Sequence, residues 1–471
     1  LYNFSGTATL THCTVSGNSA SSGGGLRIDG GTATLTNCTV SGNSASSGGG
    51  ILFNNGTLTL TNCTVSGNSA GTAGGLFNNF GTVALTNTIV AGQTAGGDVS
   101  GAYSGSNNLI GGNPLLAPLG SYGGPTQTMP PLPGSPAINA GTSMGALSTD
   151  QRGKNRVGAV DIGAVESQGY VLAVTGGDNQ STLINTAFAN ALAVSVTAAD
   201  VNDPVNGGVV TFTAPGSGAS AALATSPATI AAGAASVTAT ANATPGAYSV
   251  TASSAGVATG VSFSLTNTEA PSLVVTTAAD VVNAADGLTS LREAIAYAHS
   301  LAGDDTVTFG DGSAVGGTNF LDAAADTITL ASGQLVLTNS GAGNALTIEG
   351  PGANLLSISG ANASRVFYSY GGSATLSGLR VTGGNASGNS GGGLFNGGGA
   401  LTLTNCTVSD NSATSRGGGL FNGGGGELTL TNCTVSGNSA SSGGGLYNSG
   451  ALTLTNCTVS GNSASYGGGL Y

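Results

Sequence analysis

Apolar and polar residues alternate in short runs along most of this chain, and the runs return at a fixed interval. In Thr57-Leu58-Thr59-Leu60-Thr61 the alternation places Leu58 and Leu60 on one face and the threonines on the other, the period of a half-buried strand. Asn62 interrupts it with a residue type that tolerates left-handed backbone, which predicts a corner. Cys63 and Val65 then point inward with Thr64 outward, Gly67-Asn68 turns the chain, and Gly74-Gly75-Leu76 opens another wall. Each unit therefore predicts three short strands. Leu401, Leu403, Cys406 and Val408 repeat the scheme, as do Leu452, Leu454, Cys457 and Val459.

The repeating unit is TNCTVSGNSA or a close variant. It places cysteines at 13, 38, 63, 406, 433 and 457, spaced 25 and 25, then 27 and 24. Such a period fits one coil of a solenoid, with coils stacked about 4.8 Å apart. Composition agrees. Charged residues are only 6% of the chain while hydrophobic residues reach 39%, which excludes a charge-rich disordered chain. The net charge of −12, with Lys and Arg scattered, offers no basic patch for nucleic acid or anionic lipid. No apolar run reaches the roughly 18 residues of a membrane span.

Three segments carry a resemblance to a known family. Ser272–Ser300 contains Thr289-Ser290-Leu291-Arg292-Glu293-Ala294-Ile295, residues 326–384 contain Leu346-Thr347-Ile348-Glu349-Gly350-Pro351-Gly352, and residues 120–166 hold GGPTQT, PGSPAINAG, TDQRG and DIGAVE. With the repeats they resemble bacterial surface proteins that open on a CSLREA motif, continue in pectate-lyase-like β-helix repeats and close on a choice-of-anchor region. Thr289 stands where that family usually has Cys. Between these segments, alternation in 193–197, 209–213, 235–240 and 248–252 reads as a small β-sandwich. Its GGVVTFTAP resembles bacterial immunoglobulin-like repeats of adhesins and invasins.

The fold class expected is therefore all-β: a right-handed parallel β-helix in two half-solenoids, three strands and about 25 residues per coil, plus one Ig-like sandwich. The expected domains are coils over 1–112, a closing cap over 113–168, the sandwich over 169–268, an opening cap over 269–324 and further coils over 325–471. The closing region thus precedes the opening one. Counted through Tyr471 into Leu1, Cys457 and Cys13 lie 27 positions apart, or 25 if the duplicated Leu-Tyr is counted once. The two half-solenoids so continue in register, predicting a head-to-tail contact through Leu1, Tyr2, Leu10, Leu454, Val459, Leu470 and Tyr471, in a covalent tandem array or a non-covalent filament.

Candidate sites divide between structure and chemistry. The cysteines Cys13, Cys38, Cys63, Cys406, Cys433 and Cys457 predict an inward column of free thiols packing as small apolar residues. Asn37, Asn62, Asn405, Asn432 and Asn456 predict a corner amide ladder, although each also begins a glycosylation sequon. In the opening cap, Ser290 and Glu293 form a capping-box pattern ahead of Leu291 and Ile295, and Arg292 completes the motif. In the closing cap, Asp150, Arg152, Asp161 and Glu166 suggest ion pairs; calcium is the alternative, but the spacing matches no loop motif. Phe395, Phe421, Tyr447, Tyr471 and Phe77 follow the glycines as a stacked ladder or a sugar platform. Outward threonines at 57, 59, 61, 402, 404, 453 and 455 are soluble β-formers, or order water as ice-binding solenoids do.

No cofactor is called for, and no paired carboxylates recur among the coil residues Arg27, Asp29, Asp98, Asp410, Arg416 and Glu427 as glycoside hydrolysis needs. The expectation is a non-enzymatic extracellular structural or adhesive solenoid whose partners are its own copies, with glycans or other cells as further ones. A carbohydrate-binding module is the alternative, with an ice-binding solenoid or a polysaccharide-degrading enzyme behind it.

Overall fold

A computed structural model describes residues 1–337 and 344–471; residues 338–343, inside the span expected to form coils, lie outside the described residues. The chain divides into two compact units, one of Leu1–Ala243 with Ala247–Thr266, the other of Thr244–Gly246 with Asn267–Tyr471.

The first unit opens with stacked coils. Thr7, Leu10 and Thr11 pair in parallel with Thr32, Leu35 and Thr36, which pair in turn with Thr57, Leu60 and Thr61. The repeat interval is the pairing register, so like stacks on like. Middle coils contribute three strands, as in Leu26–Thr36, Thr39–Ser41 and Ser44–Ser47. The second unit departs from the expected three. Its coils contribute four strands, Leu420–Asn422, Glu427–Thr431, Thr434–Ser436 and Ser439–Ser442, which join four separate parallel sheets. The glycine turn at 423–426 splits into two strands the wall that Ile51–Thr61 spans unbroken.

Leucine, cysteine and valine columns fill the coils: Leu35, Leu60, Cys38, Cys63, Val40 and Val65 are fully buried. Each such leucine or valine contributes about 1.5–3 kcal/mol of burial. A polar column runs among them. Asn43 Nδ2 donates to Asn68 Oδ1 at 3.0 Å, to Val15 O at 2.9 Å and to Ser41 O at 3.2 Å, while Asn68 Oδ1 also accepts the Asn43 backbone N–H at 3.0 Å. Asn411, Asn438 and Asn462 repeat this in the second unit. The glycine triplet fits against these amides. A Cβ on Gly419 would lie 2.6 Å from Gly445 O and 2.9 Å from Asn438 Nδ2, so no larger residue is accommodated there without displacement.

The residues expected to cap each half-solenoid are built differently. In the second unit the helix Leu291–Ser300 begins in a complete Ser290–Glu293 capping box and buries Leu291, Ala294, Ile295 and Ala298 against the solenoid core. Arg292 pairs with Asp280 at 2.8 Å and donates to Gly333 O at 2.7 Å. The closing segment 113–168, expected as a loop-rich closing cap, runs along the side of the coils. Its groups meet Asn87 in one coil, Asn62 and Asn37 in the next two, and Thr14 in the first. Side-chain hydroxyls and amides of the wall, Thr64 and Asn87 among them, give its loop-rich backbone hydrogen-bond partners.

Residues 169–268 form antiparallel sheets of three and five strands that enclose one apolar core with Leu192, Val194, Phe212, Val250 and Phe263. Tyr170–Gly176, Leu192–Ala198 and Ala234–Val237 make the smaller sheet.

The inner asparagine column is predicted to carry more stability than the corner one. Asn438→Ala would orphan the Val408 carbonyl and the Asn411 amide, destabilising by about 2–5 kcal/mol. Asn432→Gly, at an exposed corner with φ of 50°, should change stability by less than about 1 kcal/mol. Chemical denaturation of the two variants beside the unaltered chain checks the difference.

Candidate functional site

Five coils turn at an expected asparagine held left-handed: φ is 50° at Asn37 and Asn62, 55° at Asn405, 50° at Asn432 and 53° at Asn456. The geometry points the amide outward, beside the threonine that follows cysteine, so each of these five coils adds one amide and one hydroxyl to a polar face. In the second unit the amides form a chain, Asn456 donating to Asn432 at 3.3 Å and Asn432 to Asn405 at 3.1 Å. All three asparagines are exposed, and Asn405 and Asn432 line a groove of about 710 Å³ with Arg380, Glu349 and Thr407. In the first unit Asn37 and Asn62 bond the closing segment and are fully buried.

That segment is organised by a buried ionic hub. The Arg152 guanidinium meets Asp150 at 3.0 Å and Asp203 at 2.6 Å, and donates to Glu166 O at 2.6 Å. Lys154 pairs with Asp200, and Arg156 joins Glu166 at 2.7 Å. Asp161 accepts the Asn139 and Ser167 amides at 2.7 Å each. Burial, then the Glu166 charge, raises the Asp161 carboxyl to about 7. The cluster expected from the sequence is thus brought together, with backbone N–H groups and arginines occupying its oxygens. Among the described residues no group of three or more His, Cys, Asp or Glu side chains is arranged to hold a metal ion.

All six cysteines are free. Cys13 Sγ faces Thr11 O, and each of the other five sulfurs faces two carbonyl oxygens, as Cys63 faces Leu35 O and Thr61 O, both at 3.4 Å. Burial holds the Cys63 thiol well above the ordinary thiol range. Thr88 takes the next place, its hydroxyl donating to Leu60 O and Thr86 O in the same pattern. Cys13 and Cys457, in the outermost coils, are half-buried.

The aromatics form a five-ring stack. Tyr368, Phe395, Phe421, Tyr447 and Tyr471 lie 5.2, 4.9, 5.5 and 5.2 Å apart, with planes within 9–14° of parallel. Phe77 is not in it, sitting between Leu52 and Ser100 of adjacent coils. The Arg365 guanidinium rests 4.9 Å from the Phe395 centroid, and that of Arg416 4.9 Å from Tyr447. Sequence reasoning missed these cations, because residues about 30 apart with irregular spacing give no periodic signal. It missed the inner asparagines too, reading Asn68 only as half of a Gly-Asn turn.

The residues expected at a head-to-tail contact sit on the two outermost coils. Leu454 is 37% exposed and Leu470 41%, whereas Leu430, one coil in from Leu454, is fully buried. Leu1, Tyr2 and Tyr471 are exposed, and Leu10 and Val459 are half-buried. Tyr2 donates to Asp29, which pairs with Arg27 at 2.8 Å. Asp410 pairs with Arg380 at 2.9 Å.

A family model of right-handed β-helix regions matches residues 1–124 and 318–471. No curated protein and no solved structure matches the chain. No helix among the described residues is long and apolar enough to cross a membrane.

Two measurements follow from this geometry. In dispersed chains iodoacetamide should label Cys13 and Cys457 first, and the four inner thiols only after denaturation, as mass spectrometry of digests would show. The second concerns pH. Folded Asp161 keeps its proton up to about 7, whereas an unfolded aspartate loses it near 3.9. Between those values the folded state binds more protons, so the first unit should lose stability as pH rises from about 4 to about 7. Asp161→Asn should flatten that slope in thermal melts.

Proposed function

From the premise that the chain belongs to the right-handed β-helix family, we propose that it is a non-enzymatic structural or adhesive solenoid of a bacterial cell surface. It works outside the cell as one stretch of a longer stack of coils, in a tandem polypeptide or a filament of copies. The observation that carries this reading is the identity of the stacking surfaces. Leu10, Cys13 and Val15 in one outer coil match Leu454, Cys457 and Val459 in the other, residue type for residue type. Each is partly uncovered, while the same residue types one coil inward are buried. A coil of either kind is the natural neighbour of the other, because unpaired strand edges and apolar columns favour another coil.

The absence of catalysis is part of the proposal. The β-helix fold also occurs in polysaccharide-degrading enzymes; here Asp29, Asp150, Asp280 and Glu166 are engaged by arginines. The immunoglobulin-like assignment of residues 169–268 is likewise proposed, supported by two antiparallel sheets on one core. Carbohydrate binding is the second reading, favoured by the aromatic stack and its two arginines. It ranks behind because rings stacked face on face show a sugar mainly their edges, while sugar platforms use open faces. Ice binding rests on threonine rows alone.

Electron microscopy of the full chain should show axial stacks. Leu454→Lys, which places a charge on the exposed column, should shorten or abolish them while leaving the circular-dichroism spectrum unchanged. Unaltered chains that stay dispersed at all concentrations would sink the proposal.

A further inference from the structure

The same polar face occurs twice in this molecule, once covered and once bare. In the first unit Asn37, Asn62 and Thr39 are fully buried beneath the closing segment. Their counterparts Asn405 and Asn432 are exposed and Thr407 half-buried. We propose that the bare face of the second unit is a second receptor for a closing strap, and that its occupant is residues 126–166 of a second copy of this chain.

The covered face shows what the receptor recognises. Asn87 grips one residue at two points, donating from Nδ2 to Thr142 O at 2.7 Å and accepting the Thr142 N–H at 2.9 Å. Asn37 donates to Thr149 O at 2.7 Å. Thr64 Oγ1 accepts the Ala164 amide at 3.0 Å, and Thr39 donates to Gln151 Oε1 at 2.6 Å. These bonds are mostly to backbone, so the face reads the main chain of the segment more than its side chains. Close approach requires a small residue at one point: a Cβ on Gly163, where φ is 108°, would lie 2.9 Å from Thr64 Oγ1.

Asn405, Thr407, Asn432 and Thr434 offer the same amides and hydroxyls in the same coil positions, one coil apart. A strap moved there would re-form the bonds to the wall while giving up its Arg152–Asp203 and Lys154–Asp200 pairs, and exchange of an identical element between copies is a known route to association. One strap and two receptors per chain leave one receptor open. This inference concerns the side of the coils and does not rest on end-to-end stacking.

The test uses the full chain and a labelled synthetic peptide of residues 126–166. Fluorescence polarisation should show saturation at one peptide per chain. Thr407→Lys with Thr434→Lys, exposed enough to leave folding intact by circular dichroism, should weaken binding at least tenfold. No binding, or binding unchanged in the double variant, would overturn the receptor. The occupant is tested in Leu454→Lys chains, whose ends are blocked. Their sedimentation mass should still rise with concentration, and the two lysine substitutions should abolish the rise. A mass constant with concentration would overturn the second copy as occupant while leaving end-to-end stacking to be judged by microscopy.

Discussion

A solenoid of near-identical coils obliges every side chain to be a good neighbour to a copy of itself. At the roughly 4.8 Å spacing of adjacent strands, a charge repeated in every coil would repel its own image, whereas an amide repeated in every coil donates to the next and accepts from the last. The inner asparagines meet this constraint most fully. Asn438 accepts the backbone and side-chain N–H groups of Asn411, then donates to Val408 O and Asn462. A one-residue slip would bring a different side chain into that column and strand several buried groups at once. The polar thread therefore fixes the register that the leucine and valine columns merely tolerate.

The rest of the composition follows from the same constraint. Aromatic rings, thiols, threonines and glycines all stack on themselves without penalty, and they are what the coils contain. The chain's 6% charge gathers instead where the repeat stops, in the ionic hub of the closing segment and around Arg292 and Asp280. Arg365 and Arg416 are instructive exceptions within the coils. Neither has a charged copy stacked beside it, and both lie over the aromatic column, which supplies a partner without requiring an anion.

What could be read from the sequence was what repeats. Alternation located Leu58, Leu60, Cys63 and Val65 on the inner face, and the Ser290–Glu293 pattern located a helix start, because both signals are local and periodic. The fourth strand of the second unit was hidden because a glycine run at 423–426 does not declare whether it bends a wall or divides it. Asn68 was hidden because Gly-Asn is a turn signal in either case, and nothing local tells whether the amide faces water or the core. The path of the closing segment was least legible of all. Its partners lie about a hundred residues away, as Thr64 does from Ala164, and they are ordinary surface residue types.

Those ordinary residue types explain how one repeat can serve two environments. A threonine hydroxyl or an asparagine amide both donates and accepts, so water and a peptide backbone satisfy it about equally. A leucine on the same face would penalise the open state, and a lysine would penalise the covered one. Asn62 and Asn432 occupy the same place in the repeat, share φ of 50°, and differ only in what lies over them. The coil therefore encodes its own stacking without ambiguity and leaves its outer face uncommitted. Whether a given stretch of solenoid is bare or strapped is decided by what is delivered to that face, and the coil sequence stays the same in both cases.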